Sequence, residues 1–178
     1  EAVQAAMHMP TGDVVAVIDA SNRAVRAVGD GTASTIVLIE LAEIGSGDPD
    51  PAAAADCAVR DVAAVTVAHV GDSRCLYVSA EAGCAWLTEA HNGAAELVRG
   101  GIIDPAEAPM HPFRHRLTRS LGSPAATPEV RTLGARAGDR LVLVTDGVHA
   151  TLDMRSIEAH ARTPGLNDAA AGLVDAAF

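Results

Sequence analysis

The chain has 178 residues, of which 49% are hydrophobic and 2% are aromatic, and its 13 basic and 23 acidic residues give a net charge of -10. A chain of this length can bury about 70% of the surface that it exposes when unfolded, so the composition predicts one globular domain with an aliphatic core. The acidic charge repels phosphate backbones and the scarcity of aromatic residues disfavours base stacking, which argues against a nucleic-acid-binding protein.

The cysteines and the hydropathy pattern bear on the cellular compartment. The three cysteines, Cys57, Cys75 and Cys84, are odd in number and show no Cys-x-x-Cys spacing, which argues against a disulfide framework and against a zinc site. No apolar run approaches the roughly 20 residues that a membrane-spanning helix needs, and the first residues lack the pattern of a signal peptide. We therefore expect a cytoplasmic protein with no membrane segment in this chain.

The first predicted element is a buried strand over residues 14–18, a continuous apolar run that ends at Asp19. Helical spacing follows after Asn22, and residues 32–41 form a run rich in β-branched side chains. Residues 45–55 have no periodicity and are rich in Gly, Asp, Pro and Ala, so they predict a surface loop. The order of these elements places one carboxylate, that of Asp19, at a strand end.

Two more strands are predicted over residues 62–70 and 75–78, joined by the tight polar connection Gly71-Asp72-Ser73-Arg74. The carboxylate of Asp72 therefore lies beside a strand end, where it could bind a ligand or brace a hairpin turn. A helix is predicted from about Asn92 to Arg99, and Asp104-Pro105-Ala106-Glu107 has the pattern of a helix start. The basic segment 111–123 could attract phosphate or be ordinary surface charge.

The most informative stretch runs from Gly138 to Asp153. The apolar residues 141–144 predict a buried strand that ends at Thr145-Asp146-Gly147. A strand that presents Asp146 on a fixed backbone, next to a glycine that permits close approach, suits metal binding, although Asp-Gly is also a common turn. Two helices complete the chain, one capped by Asp153 and one from about Asp168.

Four histidines stand in or near these segments, namely His69, His91, His111 and His115. Each could act as a general acid, but a buried histidine with satisfied hydrogen bonds is more common than a catalytic one. We therefore assign no catalytic residue among them.

Six segments carry a resemblance to a known family. In chain order they are Gly31-Thr32-Ala33-Ser34-Thr35; His69-Val70-Gly71-Asp72-Ser73-Arg74; Leu87-Thr88-Glu89-Ala90-His91-Asn92; the stretch from Glu96 to Ala108; His111-Pro112 with Leu117-Thr118-Arg119-Ser120-Leu121-Gly122; and Gly138-Asp139-Arg140-Leu141 through Asp146-Gly147. In this order and at this spacing, they resemble the bacterial branch of the metal-dependent serine/threonine protein phosphatases of type 2C, the PPM family.

The resemblance implies an α+β fold, a four-layer sandwich of two antiparallel β-sheets flanked by α-helices. It also implies an enzyme that hydrolyses phosphoserine and phosphothreonine by attack of metal-bound water, with two or three Mn²⁺ or Mg²⁺ ions as cofactors. Its partners would be phosphorylated proteins, including a cognate serine/threonine kinase or the substrates of that kinase.

The same resemblance assigns residues. Asp146 matches the metal-binding Asp of the family's Ser-Asp-Gly motif, and Asp19 matches the Asp that bridges two metal ions, with the backbone carbonyl of Ala20 as a further ligand. Asp72 matches the Asp that can hold a third metal ion in bacterial members. The resemblance assigns no substrate-binding residue.

The chain also departs from the family pattern, because Ala20-Ser21-Asn22 follows Asp19 where the family has a glycine-rich loop. Residues 22–26 resemble the end of the helix that precedes the family's Gly-Thr-Thr motif. We therefore expect a single phosphatase-like domain over residues 1–178 that lacks segments near residues 19–22 and beyond both ends. An alternative function stays open at this point, a catalytically inactive domain of this fold that acts as a regulatory binding module.

Overall fold

The computed structural model describes residues 13–29, 31–43, 63–81, 83–124 and 126–178. The helices are α1 (Val14–Val28), α2 (Gly93–Arg99), α3 (Asp146–His149), α4 (Met154–Ala161) and α5 (Leu166–Ala177). The strands are β1 (Ile36–Glu43), β2 (Ala63–Val70), β3 (Arg74–Val78), β4 (Cys84–Trp86), β5 (Glu129–Ala135) and β6 (Arg140–Val144). Two short 3₁₀ helices, Ala108–Met110 and Pro112–His115, follow α2. None of the described helices is long and apolar enough to cross a membrane.

The described strands form two antiparallel sheets of three strands each. One sheet has the order β1-β2-β5 and the other has the order β4-β3-β6. The central strands β2 and β3 follow one another in the chain, yet they belong to different sheets. These two strands were predicted correctly, but the connection between them is not a hairpin turn, because β2 and β3 pair with other strands and not with each other.

The alternation of side chains along β2 and β3 explains the four layers. On β2, Val65 and Val67 face the other sheet and pack in one cluster with Cys75 of β3, while Ala68 and Val70 face α1. On β3, the alternate residues Leu76 and Val78 pack against α4 and α5. Successive residues of a strand point to opposite faces, so both central strands are buried on both sides. The order of layers is therefore helix, sheet, sheet, helix, which confirms the predicted α+β sandwich.

The first element differs from the prediction, because residues 14–18 form the start of α1 and not a strand. The side chain of Asp13 accepts a hydrogen bond of 2.9 Å from the backbone N–H of Ala16 and so caps the helix. The buried residues of α1 recur at helical spacing, namely Val14, Ile18, Ser21 and Val25. An amphipathic helix therefore buries a face that a five-residue strand could not supply.

The helix continues without a break through residues 19–22, where the sequence predicted a join between separate segments. That prediction rested on a strand ending at Asp19, and the helix removes its structural basis.

The predicted helix start at Asp104 is also only partly correct. The side chain of Glu107 accepts from the N–H of Asp104 at 2.8 Å, as in a capping box, but the helix that follows is a single 3₁₀ turn. The predicted loop at 45–55 and Cys57 lie outside the described residues.

Candidate functional site

An open cavity of about 380 Å³ lies where the two sheets meet and brings together two of the carboxylates singled out in the sequence, those of Asp72 and Asp146. The residues that line it are Ala33, Ser34, Thr35, Asp72, Ser73, His115, Leu117, Thr145 and Asp146. The lining comes from the segment before β1, the connection between β2 and β3, the end of the second 3₁₀ helix with the segment after it, and the residues that follow β6. Residues far apart in sequence therefore converge on one site.

The position of Asp146 follows from the end of β6. The strand ends at Val144, Thr145 is the N-cap, and Asp146 is the first residue of the short helix α3. The carbonyl oxygen of Thr145 accepts from the N–H of Val148 at 3.0 Å and from that of His149 at 3.2 Å. A strand and a helical turn thus hold the backbone on both sides of the carboxylate; the strand was predicted from the sequence, and the helical turn was not.

Three side chains hold the connection that carries Asp72. His149 Nε2 donates to the carbonyl oxygen of Asp72 at 2.9 Å, because a carbonyl can only accept. The hydroxyls of Thr35 and Ser73 lie 2.7 Å apart. The N–H of Gly71 donates to His91 Nδ1 at 3.1 Å. The connection is therefore bonded to α3, to the residue before β1 and to the segment before α2.

Arg74 adds a positive charge two residues after Asp72 in the chain. Its guanidinium stacks on the ring of Trp86 at 3.8 Å and donates to the carbonyl oxygen of Thr88 at 3.4 Å. Burial lowers the pKa of Arg74 to about 10, which still leaves it charged at pH 7. Burial also lowers the pKa of His149, and the charge of Arg74 lowers it further, so the imidazole beside Asp72 is neutral at pH 7.

The donor atoms of the cavity suit a hard divalent cation. The polar lining side chains other than His115 all offer oxygen, namely Ser34, Thr35, Asp72, Ser73, Thr145 and Asp146. Mg²⁺ and Mn²⁺ prefer carboxylate and other oxygen ligands, whereas softer metals prefer nitrogen and sulfur. The residues present therefore fit the type of ion that the sequence implied, with Asp72 and Asp146 as the two carboxylates.

Asp19 and Ala20 do not fit that site. Asp19 lies in the middle of α1, where its side chain is exposed, and neither residue lines the cavity. The carbonyl oxygen of Ala20 is inside the helix, where it is used by the i to i+4 hydrogen bonds. The assignment of Asp19 as a strand-end ligand was wrong, because the strand that it was meant to end is a helix.

A second cluster was missed in the sequence. Among the described residues, one group of three potential ligands lies within 4.8 Å, and it consists of His69, His91 and Glu129. The two imidazoles are buried and stacked, with ring centroids 4.4 Å apart and an interplanar angle of 16°. The reading of His69 and His91 as buried and satisfied histidines is confirmed. Glu129 had no local signal, since only the register of β2 with β5 places it opposite His69.

The two histidines make stability depend on pH. Burial lowers the pKa of both, and for His91 burial, His69 and Arg119 together lower it to about 4 against the attraction of Glu129. Between pH 6.5 and about 4 the unfolded chain therefore binds protons that the folded chain does not. We expect the free energy of unfolding to decrease by roughly 2–3 kcal/mol as the pH is lowered through this window.

Urea denaturation at several pH values between 7.5 and 4 measures this dependence, with His91→Asn as the control. The control removes one of the two imidazoles, so its slope between pH 6.5 and 5 should be clearly smaller. Equal slopes for the two proteins would show that the pKa of His91 is not lowered in the folded state.

Comparison with known proteins gives relatives of one kind, although no family model matches the chain. The serine/threonine protein phosphatase PstP of Mycobacterium tuberculosis is 31% identical over 110 residues, which are 62% of this chain and 21% of that protein. A putative type 2C protein phosphatase of Streptococcus pyogenes is 40% identical over 84 residues, which are 46% of this chain and 33% of that protein. The chain thus spans about a fifth to a third of the length of these curated relatives.

Solved structures agree with this relationship. A crystal structure of the M. tuberculosis phosphatase PstP matches 98% of this chain and 72% of its own chain, with a TM-score of 0.76 and 26% identity. A structure of the PstP catalytic domain in complex with two manganese ions matches 98% of this chain and 71% of its own, with a TM-score of 0.72 and 24% identity. By sequence and by fold, the chain is therefore related to the bacterial metal-dependent serine/threonine protein phosphatases of type 2C.

Proposed function

We propose that this chain forms part of a metal-dependent protein phosphatase that hydrolyses phosphoserine and phosphothreonine. The observation that carries the proposal is the convergence of Asp72 and Asp146 in one open cavity lined by hydroxyl groups. A phosphorylated side chain can enter an open cavity of about 380 Å³, and two carboxylates on fixed backbone can hold the cations that phosphoryl chemistry needs. The relatives named as protein phosphatases, of which PstP is named as a serine/threonine phosphatase, support the same reaction.

Several of the polar lining residues would have a defined task in this reaction. Asp146 and Asp72 would hold Mn²⁺ or Mg²⁺, two or three ions in all, as the PstP catalytic domain holds two manganese ions. When bound, such ions activate water, neutralise phosphate oxygens and orient an in-line displacement. The hydroxyls of Thr35 and Ser73 bond each other at 2.7 Å, so one of the two remains able to donate a hydrogen bond to a phosphate oxygen from the same wall.

The rigidity of the carboxylates matters for the rate. Asp146 is held between β6 and α3, and the backbone of Asp72 is bonded to His149, so neither ligand has to be ordered when substrate binds. Pre-organised charge stabilises a transition state without a cost of reorganisation at the moment of reaction. Because His149 is neutral, it adds no second positive charge to that of Arg74.

The partners of this site would be phosphorylated proteins, and a cognate serine/threonine kinase or its substrates would be the specific ones. The exposed rim contains His115, and Arg114 and Arg116 flank it in sequence. These basic side chains would attract an anionic phosphopeptide to an otherwise acidic protein. We place the reaction in the cytoplasm, where such kinases and their substrates meet.

Removal of the metal tests the proposal in the full-length protein. We expect hydrolysis of p-nitrophenyl phosphate and of a phosphothreonine peptide in the presence of Mn²⁺, and loss of both activities when the ion is chelated, because water is a poor nucleophile without it. Addition of excess Mn²⁺ should restore the rate. Release of phosphate is the measurement for the peptide.

Two other outcomes would contradict the proposal. Equal rates with and without a chelator would show that the reaction does not use a bound metal ion. Binding of the phosphopeptide with no turnover at any Mn²⁺ concentration would instead identify the inactive binding module.

A further inference from the structure

The connection between the two sheets depends on a two-point pairing with His91. The backbone N–H of His91 donates to the carbonyl oxygen of Gly71 at 2.9 Å, and the backbone N–H of Gly71 donates to His91 Nδ1 at 3.1 Å. The carbonyl oxygen of His91 also accepts from the N–H of Thr118 at 2.9 Å. His91 is completely buried, so it ties the residue next to Asp72 to the body of the protein.

Gly71 needs this pairing because it has no strand partner. It lies between β2 and β3, whose ladders belong to different sheets. Its φ of 111° suits only glycine, and a β-carbon there would overlap with the side chain of Thr35. A buried backbone N–H without an acceptor is costly. The imidazole of His91 therefore replaces the strand neighbour that the chain lacks at this point.

The hydrogen bonds fix the tautomers of both histidines. The N–H of Gly71 can only donate, so His91 Nδ1 carries no proton and the neutral ring has its proton on Nε2. His69 Nε2 lies 2.7 Å from the carbonyl oxygen of Glu89, so it also carries the proton. Both Nε2–H groups lie near Glu129 Oε2, at 3.4 Å from His91 and 3.8 Å from His69. The carboxylate is placed to accept from His91, whereas the Nε2–H of His69 is used by the carbonyl oxygen of Glu89.

These tautomers indicate that the three residues form a hydrogen-bonded cluster and not a metal site. His69, His91 and Glu129 have the spacing of metal ligands, but an imidazole nitrogen that carries a proton has no lone pair for a metal ion. Arg119 Nη1 also lies 3.3 Å from His91 Nε2, and its charge would repel a cation there. The cluster therefore holds the two rings in place.

We propose that His91 is a positioning residue that sets the direction of Asp72 into the cavity by binding the N–H of Gly71, with His69 and Glu129 holding its ring. This inference rests on the proposed function, because Asp72 matters only if the cavity binds metal ions. The chain of contacts is short, since one peptide unit separates Gly71 from Asp72. A substitution that removes the imidazole acceptor should therefore change the position of Asp72 through the backbone of Gly71 alone.

Two substitutions of His91 each preserve only one of the two contacts that its imidazole ring makes. In His91→Asn the side-chain amide oxygen takes nearly the place of Nδ1, so it can still accept from Gly71, but the group that reaches Glu129 is lost. In His91→Gln the amide reaches the place of Nε2 and Glu129, and Gly71 loses its acceptor. The two variants are otherwise matched in polarity and neutrality.

Direct binding of Mn²⁺ to the full-length protein, measured by calorimetry without substrate, is the first readout. We expect His91→Gln to weaken the binding at least about 10-fold, a loss like that seen when groups that orient a ligand are removed. His91→Asn should stay within about threefold of the wild type. In the phosphatase assay, His91→Gln should need more Mn²⁺ for half-maximal rate and recover most of its kcat at saturating Mn²⁺.

A second measurement does not depend on the folding of a variant. In the ¹⁵N-labelled wild-type protein, a scalar coupling across the hydrogen bond should connect the amide nitrogen of Gly71 with His91 Nδ1. If the coupling is absent, or if both variants bind Mn²⁺ as the wild type does, the inference is wrong. If the wild type itself binds no Mn²⁺, the proposed function fails instead.

Discussion

Asp146→Asn is expected to decrease Mn²⁺-dependent phosphatase activity by at least about 100-fold, because it removes one of the two carboxylates that the cavity offers to a cation. The fold should be retained, since the amide has the size of the carboxyl group and the backbone bonds of Thr145 and Asp146 are unchanged. Thermal stability should be equal or higher, because the charge in the cavity decreases. Activity at saturating Mn²⁺ and the melting temperature are the measurements.

Asp19→Asn is the matched control, with the same change of charge on an exposed helix position. We expect activity within about twofold of the wild type, since surface substitutions of this kind have small effects. If Asp19→Asn abolished activity while Asp146→Asn did not, the carboxylate that binds the cation would be that of Asp19 and not that of Asp146.

Gly71→Ala is expected to destabilise the protein by about 3 kcal/mol or more. The φ of 111° strains any residue with a β-carbon, and the added methyl group would overlap with the side chain of Thr35. Since Gly71 also lies next to Asp72, the surviving folded protein should bind Mn²⁺ more weakly. Urea denaturation gives the stability, and calorimetry gives the affinity.

Gly101→Ala separates the two causes of the stability loss expected for Gly71→Ala, which are backbone strain and the overlap with Thr35. Gly101 also has a positive φ, of 67°, but no atom lies within 4 Å of a β-carbon built there. We expect it to cost only about 1 kcal/mol, the conformational strain alone. Similar losses for the two variants would show that Thr35 moves aside and that the contact with Gly71 is not tight.

The sequence predicted the end of β6 correctly because the signals are local. Four apolar residues, an N-cap threonine and Asp146 follow one another directly, so a short window contains the whole pattern. The prediction for residues 14–18 failed for the opposite reason. The features that make α1 a helix are Asp13, before the apolar run, and Ser21 and Val25, after it. A run of Val, Ala and Ile alone fits either structure.

Features that depend on pairing between distant segments could not be predicted from the residues alone. The strands β2 and β3 were found, but their separation into two sheets is decided by β1, β5, β4 and β6. The cluster of His69, His91 and Glu129 has the same origin, since its members come from three segments that only the folded chain brings together. The cavity around Asp72 and Asp146 is predictable only through the family resemblance.

The connection at Gly71 also constrains how the chain folds. The central strands β2 and β3 are neighbours in the chain, as are the outer strands β5 and β6 that complete their sheets. The contact between Thr66 and Thr132 spans 66 residues, so neither sheet can close until β5 and β6 have been synthesised. High contact order slows folding and leaves apolar strands exposed meanwhile. Because both sheets gain their last strand from one continuous segment, their amide protons should exchange with solvent as a single cooperative unit.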